Sequence, residues 1–278
     1  MASYKDMVRI RNEYMNSSSL SDHEFNLIYG KVTGNHFNPV DAEETSDNNL
    51  TQIVRLLNQR MAGEPIQYIL GTWPFLDIEL IVDERALIPR PETELLALET
   101  IKRSLIFHNS TIIDLCSGSG AIAFAIEDKV AGSDIIAVEY SSKACSLIND
   151  NKARLKSNVK VVEEDVFSYI PSLEDSSCDI FVCNPPYVTE AEYKSNYEEL
   201  KYEPRDAFIA SENGCYFYNR LTPLCFPKLR PGGFLLYEIG DEQKKAVQEI
   251  MVKWGYDNIQ TMKDIEGHDR VIIGKKPY

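Results

Sequence analysis

Residues 111–129 read TIIDLCSGSGAIAFAIEDK. A short β-branched run, 111–115, stops at a loop of small residues, Cys116, Ser117, Gly118, Ser119 and Gly120. The chain then resumes as a helix-forming stretch from Ala121 to about Lys129. Strand, small-residue loop and helix make the first half of a βα unit, with the glycines as punctuation. Glycines at such a point let a ligand approach the backbone closely. The dinucleotide fingerprint GxGxxG needs three glycines with fixed tasks. Here Gly118 and Gly120 are followed by Ala121, Ile122 and Ala123, so the spacing departs from it.

The same alternation continues toward the C-terminus. DIIAVEY (134–140) predicts a second strand with its helix over 142–156, VKVVEED (159–165) a third, and CDIFVCN (178–184) a fourth. A long polar segment reaches Asn213, followed by a helix near 216–229 and a turn at Pro231, Gly232 and Gly233. FLLYEIG (234–240) is then a strand, Asp241 to Trp254 a helix, and YDNIQTM with HDRVIIGKK a closing antiparallel pair. Successive βα units imply an α/β fold: a doubly wound, mostly parallel sheet with an antiparallel C-terminal strand and helices on both faces. Ligands in such sheets bind at the carboxyl ends of the strands, near the switch point.

Toward the N-terminus the period becomes helical. Met7, Ile10 and Tyr14 share a face. Phe25, Ile28 and Tyr29 follow a Ser21–Asp22 start signal with Glu24 three residues after the serine, and Leu50, Ile53, Val54 and Leu57 form another stripe before Gly63 and Pro65. The expectation is a small helical, partner-binding domain over 1–71. Apolar and charged positions alternate over Phe75–Val82, predicting a hairpin linker at 72–91. Glu92, Thr93 and Glu94 then open a helix to about Phe107 and the third region, 92–278; acidic residues suit the positive end of a helix dipole.

Composition bounds the function. The chain has 278 residues, 44% hydrophobic and 26% charged, enough apolar content for a core and too much for global disorder. Twenty-nine basic against 43 acidic residues give a net charge of −14. Proteins built mainly to grip nucleic acid show a basic stripe instead, although a local patch can differ from the mean. Six cysteines without a CxxC pair read as reduced and structural in a cytosolic protein. Four scattered histidines give no metal-ligand spacing, so no metal is expected; no signal peptide or membrane span is legible either.

Three consecutive predicted strand ends carry Asp114, Glu139 and Asp165. A carboxylate at Glu139 can accept both hydroxyls of a ribose, in nicotinamide cofactors and in adenosylmethionine alike, and one at Asp165 can meet an adenine amino group. The sharpest motif is Asn184, Pro185, Pro186, Tyr187, directly after the fourth strand. The prolines stop the strand and fix the backbone. The Asn184 side-chain oxygen and the Pro185 carbonyl then form two rigid acceptors, suited to a planar NH2 group that donates twice. Tyr187 can lie against that group's flat face.

These features resemble class I S-adenosylmethionine-dependent methyltransferases acting on planar amino groups. The tetrapeptide is shared by adenine-N6 DNA, guanine-N2 ribosomal RNA and protein glutamine-N5 methyltransferases. Five further segments decide among them: GEPIQYILGTWPF (63–75), ALIPRPETE (86–94), YEPRDAF (202–208), LRPGGFLLYEIG (229–240) and GHDRVII (267–273). In order and spacing they are similar to the release-factor glutamine methyltransferases. The resemblance implies S-adenosylmethionine as methyl donor and, as substrate, the glutamine of the Gly-Gly-Gln motif of class 1 release factors. It also implies a cytoplasmic monomer that binds no nucleic acid directly. Asp114 and Cys116–Gly120 would serve the methionine portion, Glu139 the ribose, Asp165 with Val166 the adenine edge, and Asn184, Pro185, Pro186 and Tyr187 the glutamine amide, with Asn184 touching the cofactor as well. Cys116 stands where the family carries Gly, which fits if φ there is negative, and Val166 where some members carry an aromatic residue. The rival readings are a DNA or ribosomal RNA methyltransferase and a non-catalytic module that keeps the fold.

Overall fold

The computed structural model describes residues 4–17, 20–37 and 46–278; expectations that fall on 1–3, 18–19 and 38–45 lie outside the described residues. The first compact unit is Met1–Thr72. It contains α1 (Tyr4–Ser17), α2 (Asp22–Thr33), α3 (Asp47–Met61) and α4 (Ile66–Leu70). The start signal at Ser21 is a capping box: the Ser21 hydroxyl accepts from Glu24 N at 3.2 Å and Glu24 Oε2 accepts from Ser21 N at 3.0 Å. The apolar stripes meet in one core of Met7, Phe25, Ile28, Phe37, Ile53, Leu57 and Ile69.

The second unit, Trp73–Tyr278, carries the α/β fold. A hairpin of β1 (Thr72–Phe75) and β2 (Ile78–Ile81) leads to α5 (Pro91–Ser104), with Pro91 at the first helical turn, where its missing N–H costs nothing. The hairpin is more than a linker: Phe75, Leu80 and Val82 are buried in one cluster with Leu96, Ala97 and Phe124. Then follow β3 (Thr111–Leu115), α6 (Ala121–Lys129), β4 (Asp134–Glu139), α7 (Ser142–Leu155), β5 (Lys160–Glu163), α8 (Val166–Ser172) and β6 (Cys178–Cys183). After them come α9 (Glu190–Ser195), α10 (Tyr197–Leu200), a turn of 3-10 helix (Arg205–Ala207), α11 (Tyr216–Lys228), β7 (Leu229–Glu238), α12 (Lys244–Lys253), β8 (Asp257–Lys263) and β9 (Asp269–Lys275).

The main sheet has the order β5-β4-β3-β6-β7-β9-β8. Strands β3 to β7 are parallel, and β9 pairs antiparallel with both β7 and β8. From β3 the chain steps outward through β4 to β5, then returns to place β6 on the other side of β3. That reversal sets the carboxyl ends of β3 and β6 side by side, with Leu115 in register with Cys183. Two apolar layers cover the faces, one built with α5 and α6, the other with α8, α11 and α12. No helix among the described residues is long and apolar enough to cross a membrane.

Several expected boundaries move. The third strand ends at Glu163, so Asp165 is not its last residue but the N-cap of α8, accepting from Phe167 N at 2.8 Å. The polar segment after β6 contains short helices. Pro231, Gly232 and Gly233 do not form a turn before β7; they lie within it. Lys276 keeps the strand paired there: Gly232 N donates to its carbonyl at 2.9 Å, and its own N–H donates to Gly233 O at 2.8 Å. Gly232 has φ +84, which lets the backbone kink without leaving the sheet. The last helix begins at Lys244 rather than Asp241.

Candidate active site

The loop after β3 is held by backbone hydrogen bonds, one to β4 and one within the loop. Ser117 N donates to Val138 O at 3.1 Å, and Gly120 N to Ser117 O at 2.8 Å. Gly118 and Gly120 take φ +58 and +83, and so does Cys116, at +57. The expectation of a negative φ at Cys116 is therefore corrected. The chain must double back at once after β3, and a side chain held in the left-handed region costs about 1–2 kcal/mol. Asp114 is fully buried; its Oδ2 accepts from the Ser117 hydroxyl at 2.5 Å while Oδ1 has no hydrogen-bond partner among the described residues. Burial pushes its carboxyl up to about 7, with the Ser117 bond pulling the other way.

Glu139, at the end of β4, braces that loop. Its Oε2 accepts from Gly118 N and its Oε1 from Ser141 N, each at 2.9 Å. Burial raises its proton affinity, and those backbone donors oppose the rise. A carboxylate has about four lone-pair sites, so Glu139 keeps acceptor capacity after both bonds.

Asn184–Tyr187 leaves β6 and is pinned from behind. Asn184 Nδ2 donates to Thr93 Oγ1 at 3.2 Å, and Thr93 Oγ1 donates to Glu238 Oε2 at 2.7 Å. Tyr187 Oη donates to Glu238 Oε1 at 3.1 Å, while the Tyr187 carbonyl accepts from Gln243 Nε2 at 2.9 Å. Burial raises Glu238 to about 6. Burial raises the Tyr187 hydroxyl as well, with the neighbouring Glu238 adding to the shift. A second clamp joins two of the segments singled out above: Glu203 accepts from Ile88 N at 2.9 Å and from Arg90 Nη2 at 2.5 Å.

These elements surround one cavity of about 820 Å³. Cys116, Ser117, Gly118, Ser119, Glu139, Asp165, Val166, Asn184 and Pro186 all line it. Asp114, Gly120, Pro185 and Tyr187 do not; Asp114 holds the loop from beneath, Gly120 caps α6, and Tyr187 turns toward Glu238. A β-carbon built on Gly118 would meet nothing within 4 Å, so the loop presents bare backbone to open space. The wall also has members that the sequence alone did not single out. Phe167 lies beside Val166, supplying an aromatic face one residue later than expected, and stacks on Phe217 at 5.6 Å between ring centroids. Thr93 lines the cavity, and Glu238 stands behind it. Both sit inside quoted motifs, and only the folded contacts reveal what they hold.

The arrangement offers glycine backbone, a braced carboxylate, an aromatic and aliphatic wall, and a pinned side-chain amide at one end. Residues 91–200 match the family model described as Methyltransferase small domain. The chain is 38% identical over 232 residues to the release factor glutamine methyltransferase of Thermodesulfovibrio yellowstonii, an alignment covering 81% of each chain. It is 35% identical over 215 residues to that of Fusobacterium nucleatum, covering 77% of this chain and 60% of that longer relative. A crystal structure of a methyltransferase from Pyrococcus furiosus is similar in fold, with a TM-score of 0.55 at 18% identity, covering 84% of this chain and all of that one.

Proposed function

This chain belongs to the release factor glutamine methyltransferase family, and from that premise we propose that it transfers a methyl group from S-adenosylmethionine to the side-chain amide nitrogen of the Gly-Gly-Gln glutamine in class 1 release factors. The observation that carries the reading is the joint cavity, where the β3 loop, Glu139 and Asn184 converge. The residues fit the donor: the uncovered backbone at Gly118 leaves room for it, Glu139 has lone pairs for ribose hydroxyls, and Asp165, Val166 and Phe167 suit an adenine. When bound, S-adenosylmethionine supplies a methyl group activated by a sulfonium.

An amide nitrogen is a poor nucleophile because its lone pair is delocalised into the carbonyl. The protein's task is to orient that nitrogen and to favour charge on it. Asn184 Oδ1, on the cavity wall, is an acceptor whose hydrogen bond strengthens as the nitrogen turns positive, so it stabilises the transition state more than the ground state. Fixing both partners in one geometry can contribute about 7–11 kcal/mol. The nitrogen's proton leaves to water after transfer. The net charge of −14 suits a partner with basic patches. The same reading makes the protein a cytosolic monomer that uses no metal and acts on protein rather than nucleic acid.

Incubation with labelled S-adenosylmethionine and, separately, a purified class 1 release factor, duplex DNA and ribosomal RNA tests the reading. Label is expected in the release factor alone; label in either nucleic acid, with none in the protein, would overturn it. Gly118→Ala tests the donor site. Its methyl would enter the open space above the loop at φ +58. The expected stability loss is about 1–2 kcal/mol, while the Kd for S-adenosylmethionine rises at least about tenfold. Calorimetry showing unchanged affinity would remove the donor from this loop.

A further inference from the structure

The side-chain amide of Asn184 can sit in its slot two ways round, and only one of them offers an acceptor to the cavity. The hydrogen-bond balance at Thr93 selects between them. Thr93 Oγ1 lies 2.7 Å from Glu238 Oε2 and 3.2 Å from Asn184 Nδ2. A hydroxyl has one proton, and an ionised carboxylate can only accept. The Thr93 proton is therefore committed to Glu238, and Thr93 faces Asn184 with a lone pair. Asn184 must answer with its N–H, which leaves Oδ1 without a donor among the described residues and available to the cavity that Asn184 lines. Reversing the amide would set two oxygens against each other unless the Thr93 proton left the carboxylate. That bond is charge-assisted and its partners are buried, Thr93 at 5% and Glu238 at 2% exposure, so it is a strong one.

We propose that Thr93 and Glu238 are positioning residues for methyl transfer: Glu238 fixes the direction of the Thr93 hydroxyl, and Thr93 fixes the Asn184 amide with Oδ1 as the acceptor for the substrate's NH2 group. The inference rests on the reading of Asn184 as that acceptor, and it extends it to specificity. A fixed acceptor welcomes the NH2 of glutamine and opposes the carboxylate of glutamate; the reversed amide would do the opposite. Tyr187 occupies the other oxygen of Glu238, so one buried carboxylate holds both polar side chains of the tetrapeptide.

The test compares Thr93→Val, Thr93→Ser, Glu238→Gln, the double variant Thr93→Val/Glu238→Gln, and Asn184→Ala in labelled methyl transfer to release factor. Losing a preorganised hydrogen-bonding group in a transition state costs about 10²–10³ in rate. Thr93→Val leaves the amide free to adopt either orientation, so its expected loss in kcat is smaller, about 10- to 100-fold. The Kd for S-adenosylmethionine should stay within about twofold, because the donor side is untouched. Thr93→Ser, which keeps the hydroxyl, should recover most of the rate lost in Thr93→Val and so separates orientation from misfolding. Glu238→Gln keeps an oxygen for the Tyr187 hydroxyl, so the substitution reaches Asn184 only through Thr93; the double variant should be no slower than Thr93→Val, a non-additivity that independent sites do not show. The proposal is overturned if Thr93→Val keeps its kcat while Asn184→Ala loses it, or if the two losses multiply. An Asn184→Ala variant as fast as the wild type would overturn instead the reading of Asn184 on which the proposal stands.

Discussion

Replacing Asn184 with Ala is expected to lower kcat for methyl transfer by roughly 10²–10³-fold, the cost of removing one preorganised hydrogen-bond group from a developing charge. Asn184 follows β6 directly, and its side chain spans from the cavity wall to Thr93. Truncation to Ala removes the acceptor and leaves the donor-side loop untouched, because Gly118 and Ser117 are held by Glu139 and Asp114. Binding of S-adenosylmethionine should therefore change little, and the loss should fall on kcat. The structural cost is one hydrogen bond, about 1 kcal/mol, visible as a small shift in the urea midpoint. Single-turnover kinetics with saturating donor measures the rate directly. A variant that methylates at the wild-type rate would remove Asn184 from the chemistry.

Gly214→Ala should be nearly as damaging, for a different reason. Gly214 has φ +80, and a β-carbon there would lie 2.2 Å from the Tyr187 carbonyl oxygen and 2.3 Å from Gln243 Nε2. Those two atoms form the hydrogen bond that pins the Asn184–Tyr187 turn from behind. Left-handed strain of about 1–2 kcal/mol adds to overpacking of about 1–3 kcal/mol, giving a stability loss of roughly 2–5 kcal/mol. Backbone atoms cannot yield as a flexible side chain can, so the turn itself must shift. A displacement near 1 Å at reacting groups can cost about 10²-fold in rate. Gly267→Ala is the control: φ is +91 there, yet nothing lies within 4 Å of the added carbon. It should lose only the strain, about 1–2 kcal/mol, and keep its activity. Equal urea midpoints for the two variants would contradict the packing argument.

The fold class was legible in the sequence, and so was much of one cavity wall. The βα periodicity around 111–129 and the Asn-Pro-Pro-Tyr tetrapeptide can be read because strand period, glycine punctuation and proline rigidity are local properties. Asp165 was harder to place. A strand end and a helix N-cap both call for an acidic residue after a β-branched run, and Pro171 disguises the short α8 that follows. Positive φ at Cys116 has no local signature, since only the return of Ser117 N to Val138 O demands it. At Pro231–Gly233 the residues favour a turn, and pairing with Lys276 keeps them in the sheet. Thr93 and Glu238 are 145 residues apart in the chain, and their bond exists only once α5 and β7 are packed. Local chemistry named residues that line the cavity; the groups that stand behind them needed the fold.

One amide nitrogen of one glutamine is expected to receive the methyl group. Tandem mass spectrometry of a class 1 release factor after reaction with this protein and S-adenosylmethionine tests it most directly. The result expected is a single added methyl on the side-chain nitrogen of the Gly-Gly-Gln glutamine, absent when that glutamine is replaced by Ala. A methyl group on another residue, or an equal yield on the Gln→Ala factor, would contradict it.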